Sequence, residues 1–169
     1  VVLPQGKAQE AVFIEGAEIS PVSSLREAVE FLSGQRPFSA VEPRSWEKDL
    51  QVLPTDNDFK YIKGQFAAKR AMEIAVAGGH NIIMIGPPGA GKTMLARAVP
   101  SIMPSMTFEE ALEVAKIHSV AGQLTNGFVY RRPFRTPHHS ATVVALTGGG
   151  NKVKPGEISL AHNGVLFLD

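Results

Sequence analysis

The sequence predicts an α/β fold built on a mostly parallel sheet with flanking helices. Three observations carry that expectation. Residues 81–93 set an apolar run, residues 82–85, directly before Gly-Pro-Pro-Gly-Ala-Gly-Lys-Thr, and a helix-forming run follows. A second apolar run, residues 165–168, ends in a carboxylate, Asp169. Before and between them, short β-like pieces alternate with helical periods, the pattern of strands joined by helical crossovers.

Residues 1–4 read as the end of a strand cut by a turn at Pro4, and residues 11–14 and 18–22 as β-like pieces bracketed by Gly16 and Pro21. Ser24 opens a helix: Glu27 completes a capping box, and Leu25, Ala28, Val29 and Leu32 make an apolar face that Gly34 ends. Residues 35–56 hold three prolines, mixed charges and a lone Trp46 with no sustained period, and read as a linker. Trp46 there pins the linker to a domain, or offers a platform on which a base could stack. Residues 58–65 lead into a helix that runs to about Ala77, with Ala67, Ala71, Ile74 and Ala75 inward and Gly78-Gly79 as its C-cap.

The apolar run at 82–85 is expected to be a strand buried on both faces, and the helix after the glycine-rich loop is stopped by Pro100. Thr107 and Glu110 form another capping box, opening a helix to about Val120, and residues 122–127 are a turn region. Residues 128–140 form an extended, basic, proline-punctuated stretch. Ser140 caps a short helix to Thr147, closed by Gly148, Gly149 and Gly150. A last helix is expected from Pro155 to His162, capped by Asn163 or Gly164. An Asn-Gly pair ordinarily marks a hairpin, but parallel strands need crossovers, so the helix is preferred.

The stretch at 86–93 is the phosphate-loop pattern, and each part has a physical task. Gly86, Gly89 and Gly91 let the backbone turn and approach phosphate oxygens, while Pro87, Pro88 and Ala90 complete the loop. Amides around residues 89–93 form an anion nest, Lys92 supplies a point charge for the β- and γ-phosphates, and the Thr93 hydroxyl is a Mg²⁺ ligand. The pattern therefore points to a nucleoside triphosphate with Mg²⁺. Asp169, at the end of an apolar run, fits the carboxylate that a second buried strand delivers to that Mg²⁺.

The bulk properties narrow the field. A length of 169 residues suits one domain, or one with a piece of another, and 44% hydrophobic residues allow a real core. The absence of cysteine excludes disulfides and thiolate metal sites, and a cytoplasmic location is expected. No run of 18 apolar residues exists, so no membrane contact is expected. With Val as first residue and no leader pattern, the chain is expected to be an excerpt. The net charge is only +1, but residues 1–60 carry 10 acids against 6 bases, and residues 114–156 carry no acid at all. That basic stretch suits contact with phosphates of nucleotide or nucleic acid, and a solvated basic loop explains it equally well. Arg131, Arg132 and Arg135 could meet DNA phosphates, a neighbouring subunit's nucleotide, or solvent, and the sequence does not choose. The adjacent His138 and His139 do not face one side of a strand, and His80, His118 and His162 fall at element edges, so a zinc site is not expected. A hydrogen bond within a subunit interface or the nucleotide site, or a solvent position, fits His138 and His139 better.

Four stretches together resemble the magnesium-chelatase-like branch of the AAA+ ATPases, and within it the YifB/ComM group. They are residues 58–65, residues 77–93, the Arg-Pro-Phe-Arg-Thr-Pro-His-His of residues 132–139, and residues 155–169. The resemblance runs from about residue 57 to the end, and the third and fourth stretches are the specific ones. Residues 1–34 resemble the last part of a Lon-protease-like α/β domain, with no peptidase dyad visible. The organisation implied is 1–34 as the end of that domain, 35–56 as linker, and 57–169 as the first half of an AAA+ domain, its sheet incomplete.

By the same resemblance, 86–93 is the ATP loop, Asp169 the Walker B aspartate, and Ile62 and Gly64 lie near the adenine. It further implies an ATPase that forms rings, with a homo-hexamer expected, and a ComM-type DNA helicase that drives branch migration in natural transformation. A chelatase-like motor acting on a protein partner, or a non-hydrolytic assembly module, are the alternatives. The catalytic glutamate expected after Asp169 and the later sensor, arginine-finger and lid residues are missing, so residues 1–169 alone are expected not to hydrolyse ATP.

Overall fold

The computed structural model describes the chain except residues 15, 36, 38–39, 43–44, 47–49, 51–56, 125–128 and 151–152 and the side chains of Gln9 and Glu10. Much of the expected linker thus lies outside the described residues. The chain divides into two compact units, one within Val1–Leu53 and one made of Pro54–Leu124 with Val129–Asp169.

In the first unit β1 (Val2–Pro4) and β2 (Ser20–Val22) pair in parallel, Val2 opposite Ser20, across a crossover that contains α1 (Gln5–Ala11). Ala8, Ala11 and Ile19 pack between them. The sequence reading has no α1 and makes residues 11–14 β-like. Those residues instead end the helix and turn, because Ala8 and Ala11 recur at helical spacing on one covered face. α2 (Leu25–Leu32) starts as expected, with the Ser24 hydroxyl accepting from the Glu27 amide. Its Glu27 carboxylate reaches back to Ser23, accepting from both its amide and hydroxyl, and not to the cap residue itself. Trp46 is buried edge-on against Phe13, with ring centroids 5.5 Å apart.

In the second unit a 3₁₀ turn (Phe59–Tyr61) leads into α3 (Phe66–Gly78), closed by Gly79 in the left-handed region. The inward face of α3 is Ala68, Met72 and Ala75, whereas Ala67, Ala71 and Ile74 are exposed. The two stripes differ by one position. An alanine-rich helix offers little contrast in side-chain size, so the bulk of Met72, 1% exposed, decides which stripe faces the core. Met72 packs with Phe59, Ile62, Leu95 and Ala98, the last two from α4 (Lys92–Ala98). α4 passes into a 3₁₀ turn (Val99–Ser101) at Pro100, as its ring demands. The Ser101 hydroxyl then ties that turn to the Phe59 amide at 2.9 Å.

α5 (Phe108–Val120) has both halves of the expected capping box and buries Ala111, Val114 and Ala115. β3 (Phe134–Arg135) pairs in parallel with β6 (Val165–Leu166), Phe134 opposite Val165. Between them come α6 (Val143–Thr147), the antiparallel pair β4 (Gly148–Gly149) and β5 (Lys154–Pro155), and α7 (Glu157–Leu160). α6 is capped by Thr142, not Ser140, whose hydroxyl is engaged by His138. Pro155 belongs to β5, and α7 begins only after Gly156, so the last helix is shorter than expected. Asn163 lies in the left-handed region at φ 55 and redirects the chain into β6, and no hairpin forms there.

The arrangement is α/β with small parallel pairs. A second expected element, after residues 11–14, differs in kind. Residues 81–87 form no strand, and Ile83 and Ile85 are 84% and 92% exposed. An apolar run becomes a doubly buried strand only when strands flank it and helices cover it. Among the described residues none pairs with this segment. A cleft of about 470 Å³ separates it from β6 and Asp169.

Candidate functional site

The loop of residues 86–91 turns on Gly89 and Gly91, at φ 79 and 85, and Gly91 is the N-cap of α4. A side chain at either position would be strained, so the pattern's glycines follow from backbone geometry. α4 is anchored from below by Leu95, Ala96 and Ala98, all buried, which leaves its first residues, Lys92 and Thr93, at the loop. Lys92 Nζ folds back to donate to the carbonyls of Gly86 at 2.9 Å and Pro87 at 3.1 Å. The ammonium is thereby held over the loop by two neutral acceptors, which a phosphate oxygen would outcompete.

Thr93 Oγ1 donates to Asp169 Oδ2 at 3.4 Å. Two candidates that the sequence places far apart therefore meet. A hydroxyl beside a carboxylate is a set of oxygen donors suited to Mg²⁺, and with Lys92 adjacent the residues present fit a nucleotide and its metal. Gly64, at φ 69, lies exposed near the start of α3. Ile62, by contrast, turns its side chain into the core cluster, and its carbonyl accepts from Lys69 Nζ. The link from this segment to the loop is Gln65, whose Nε2 donates to the Ala90 carbonyl at 3.2 Å. The sequence reading places Gln65 in the 58–65 stretch without giving it a role of its own, and its φ of 54 is unusual for a residue with a side chain.

The arginines divide. Arg132, 11% exposed, donates to both carboxylate oxygens of Glu110 (2.9 and 3.3 Å), to the Pro104 carbonyl at 2.6 Å and to the Asn163 carbonyl at 2.8 Å. Arg135 makes a forked pair with Glu157 at 2.6 and 2.7 Å. Both are bound within the chain and are not on open solvent, while Arg131 is exposed. Hydrogen bonding from Arg135 pulls Glu157 below the ordinary glutamate range, against the opposing effect of burial, and Glu157 in turn raises Arg135. Burial pushes Glu110 up, but the Thr107 amide and the Arg132 guanidinium outweigh it and the net shift is downward. Glu113 is also lowered, first by its hydrogen bond with His162 and then by that from Asn163.

His138 Nδ1 lies 2.7 Å from the Ser140 hydroxyl and stacks against His139 at 4.1 Å; both are exposed. His118 bonds the Leu160 carbonyl at 3.0 Å, and His80 lines the cleft. Among the described residues no group of three or more His, Cys, Asp or Glu could hold a metal ion, and no helix is long and apolar enough to cross a membrane.

A loop with the glycine-rich phosphate-loop pattern thus leads into α4, whose first turn meets a carboxylate from the end of the chain. Residues 58–169 match the family described as magnesium chelatase, subunit ChlI, and the chain belongs to that family. It is similar over its whole length to YifB/ComM-type members. It is 41% identical to YifB of Escherichia coli (strain K12) over 170 residues, all of this chain and 33% of that protein. It is 42% identical to the competence protein ComM of Haemophilus influenzae over 171 residues, all of this chain and 34% of that protein. YifB of Salmonella typhimurium is 49% identical over 140 residues, 82% of this chain and 27% of that protein. The chain spans about a third of the length of the relatives it matches end to end.

Proposed function

We propose that residues 57–169 are the ATP-binding half of a P-loop AAA+ domain, preceded by the end of a Lon-like domain. The full-length protein is then a Mg²⁺-dependent ATPase that assembles as a homo-hexameric ring in the cytoplasm and remodels DNA, as a branch-migration helicase would. The observation that carries this reading is the convergence of Thr93 and Asp169 beside Lys92. The name of the competence protein among the relatives favours DNA, and similarity from the first residue onward favours this group over a chelatase motor.

The loop amides and Lys92 would bind the phosphates, with Lys92 trading its contacts to Gly86 and Pro87 for phosphoryl oxygens. Thr93 and Asp169 would hold Mg²⁺. When bound, Mg²⁺ offsets the charge that develops on the transferred phosphoryl group. Gln65, through Ala90, would steady the loop from the adenine side.

The test is ATP turnover by the full-length protein with and without branched DNA, beside Lys92→Ala. Stimulation by DNA that the substitution abolishes is expected. Turnover indifferent to DNA would move the reading to a chelatase-like motor acting on a protein partner. Nucleotide binding without turnover would leave an assembly module.

A further inference from the structure

We propose that Arg132 is a positioning residue for Asp169: its guanidinium locks the register of β6 against β3 and so turns Asp169 toward Thr93. This rests on the nucleotide-site reading above and adds a residue outside the loop to it.

β3 and β6 share only two paired positions, Phe134 with Val165 and Arg135 with Leu166. At the two ends of the ladder Val165 N donates to the Pro133 carbonyl and Phe167 N to the Arg135 carbonyl, both at 2.8 Å. So short a ladder specifies register weakly, and a slip of one residue would turn every side chain of the second strand to the opposite face. Asp169, three residues past the end of β6, would then point away from α4.

Arg132 sits two residues before β3 and Asn163 two before β6, and the guanidinium spans them by donating to the Asn163 carbonyl at 2.8 Å. The other end of the same fork is fixed by Glu110 on α5 and by the Pro104 carbonyl. Glu113, one turn on from Glu110, accepts from the Asn163 side chain at 3.1 Å, so α5 grips the turn at two points. A slipped β6 would turn the Asn163 carbonyl away from Arg132 and leave a mostly buried cation short of an acceptor, which is costly. The guanidinium's donors are occupied inside the fold, so register, and not phosphate contact, is what Arg132 has to offer.

The experiment is a Mg²⁺ titration of fluorescent-ATP binding to the full-length protein, comparing wild type with Arg132→Lys, which keeps the charge and loses the fork. The Mg²⁺ concentration at half-maximal effect is expected to rise about 10- to 100-fold. Nucleotide affinity without Mg²⁺ should stay within about twofold, because the loop itself is untouched. An unchanged Mg²⁺ midpoint, or an equal fall in affinity with and without Mg²⁺, would overturn the proposal. If Arg132→Lys does not fold, Glu110→Gln, which loosens the guanidinium but leaves it in place, should shift the midpoint in the same direction, and no shift would overturn the proposal. A wild type that binds no nucleotide would instead sink the site reading itself.

Discussion

The hydroxyl of Thr93 and the carboxylate of Asp169 lie 3.4 Å apart, although 76 residues separate them in the chain. At that length the contact is loose for a hydroxyl–carboxylate hydrogen bond, so it is a pair that a cation could occupy at little cost. Asp169→Asn can still accept from Thr93 but carries no charge. The Mg²⁺ needed for half-maximal nucleotide binding is expected to rise at least about tenfold, with the fold intact by circular dichroism. An unchanged midpoint would remove Asp169 from the metal site.

Gly164 is the point where β6 passes closest to its neighbour. A Cβ there would stand 2.1 Å from the Pro133 carbonyl oxygen and 2.8 Å from the Pro133 nitrogen. Neither backbone atom can retreat without breaking the Val165–Pro133 hydrogen bond. Gly164→Ala should therefore cost about 1–3 kcal/mol in urea melts, as overpacking does. Gly6→Ala in α1 meets nothing within 4 Å and should stabilise the first unit by up to about 1 kcal/mol. Equal effects of the two substitutions would mean that the close approach at Gly164 is not a constraint.

Where local chemistry sets the structure, the sequence was legible. The Thr107–Glu110 capping box, the Gly79 cap and the turn at Pro100 each appear where residue type requires them. The turns at Gly89 and Gly91 were legible for the same reason. What escaped depends on partners distant in the chain. Nothing local says whether residues 82–85 will be flanked by strands, and nothing local chooses Met72 over Ile74 as the inward residue of an alanine-rich helix. The ion pairs of Arg132 with Glu110 and of Arg135 with Glu157 each span 22 residues, so arginines for which the sequence left DNA phosphate, a neighbour's nucleotide and solvent open turn out to pair within the chain. The meeting of Thr93 with Asp169 was anticipated only because the motif supplied a role for the carboxylate.

The Arg135–Glu157 fork gives a pH dependence with a definite sign. Glu157 titrates lower in the folded chain than in the unfolded one because Arg135 favours its ionised form. Its contribution is therefore present above the unfolded carboxylate value and is lost as pH falls through the lower folded one. Stability should fall as pH drops below about 5, and Arg135→Gln should flatten that fall while leaving the slope near neutrality unchanged. Thermal melts between pH 3 and 7 would measure both. An unchanged acid slope in Arg135→Gln would show that the fork contributes no proton linkage.

The most direct measurement is steady-state ATP turnover by the full-length protein at saturating Mg²⁺, beside Lys92→Ala and Asp169→Asn. Turnover lowered at least about 100-fold by either substitution, with both variants folded, is the expected result, since in the proposed site Lys92 would meet the transferred phosphoryl group and Asp169 would hold its Mg²⁺. Wild-type rates in both variants would contradict the assignment of the loop and of Asp169 to one catalytic nucleotide site.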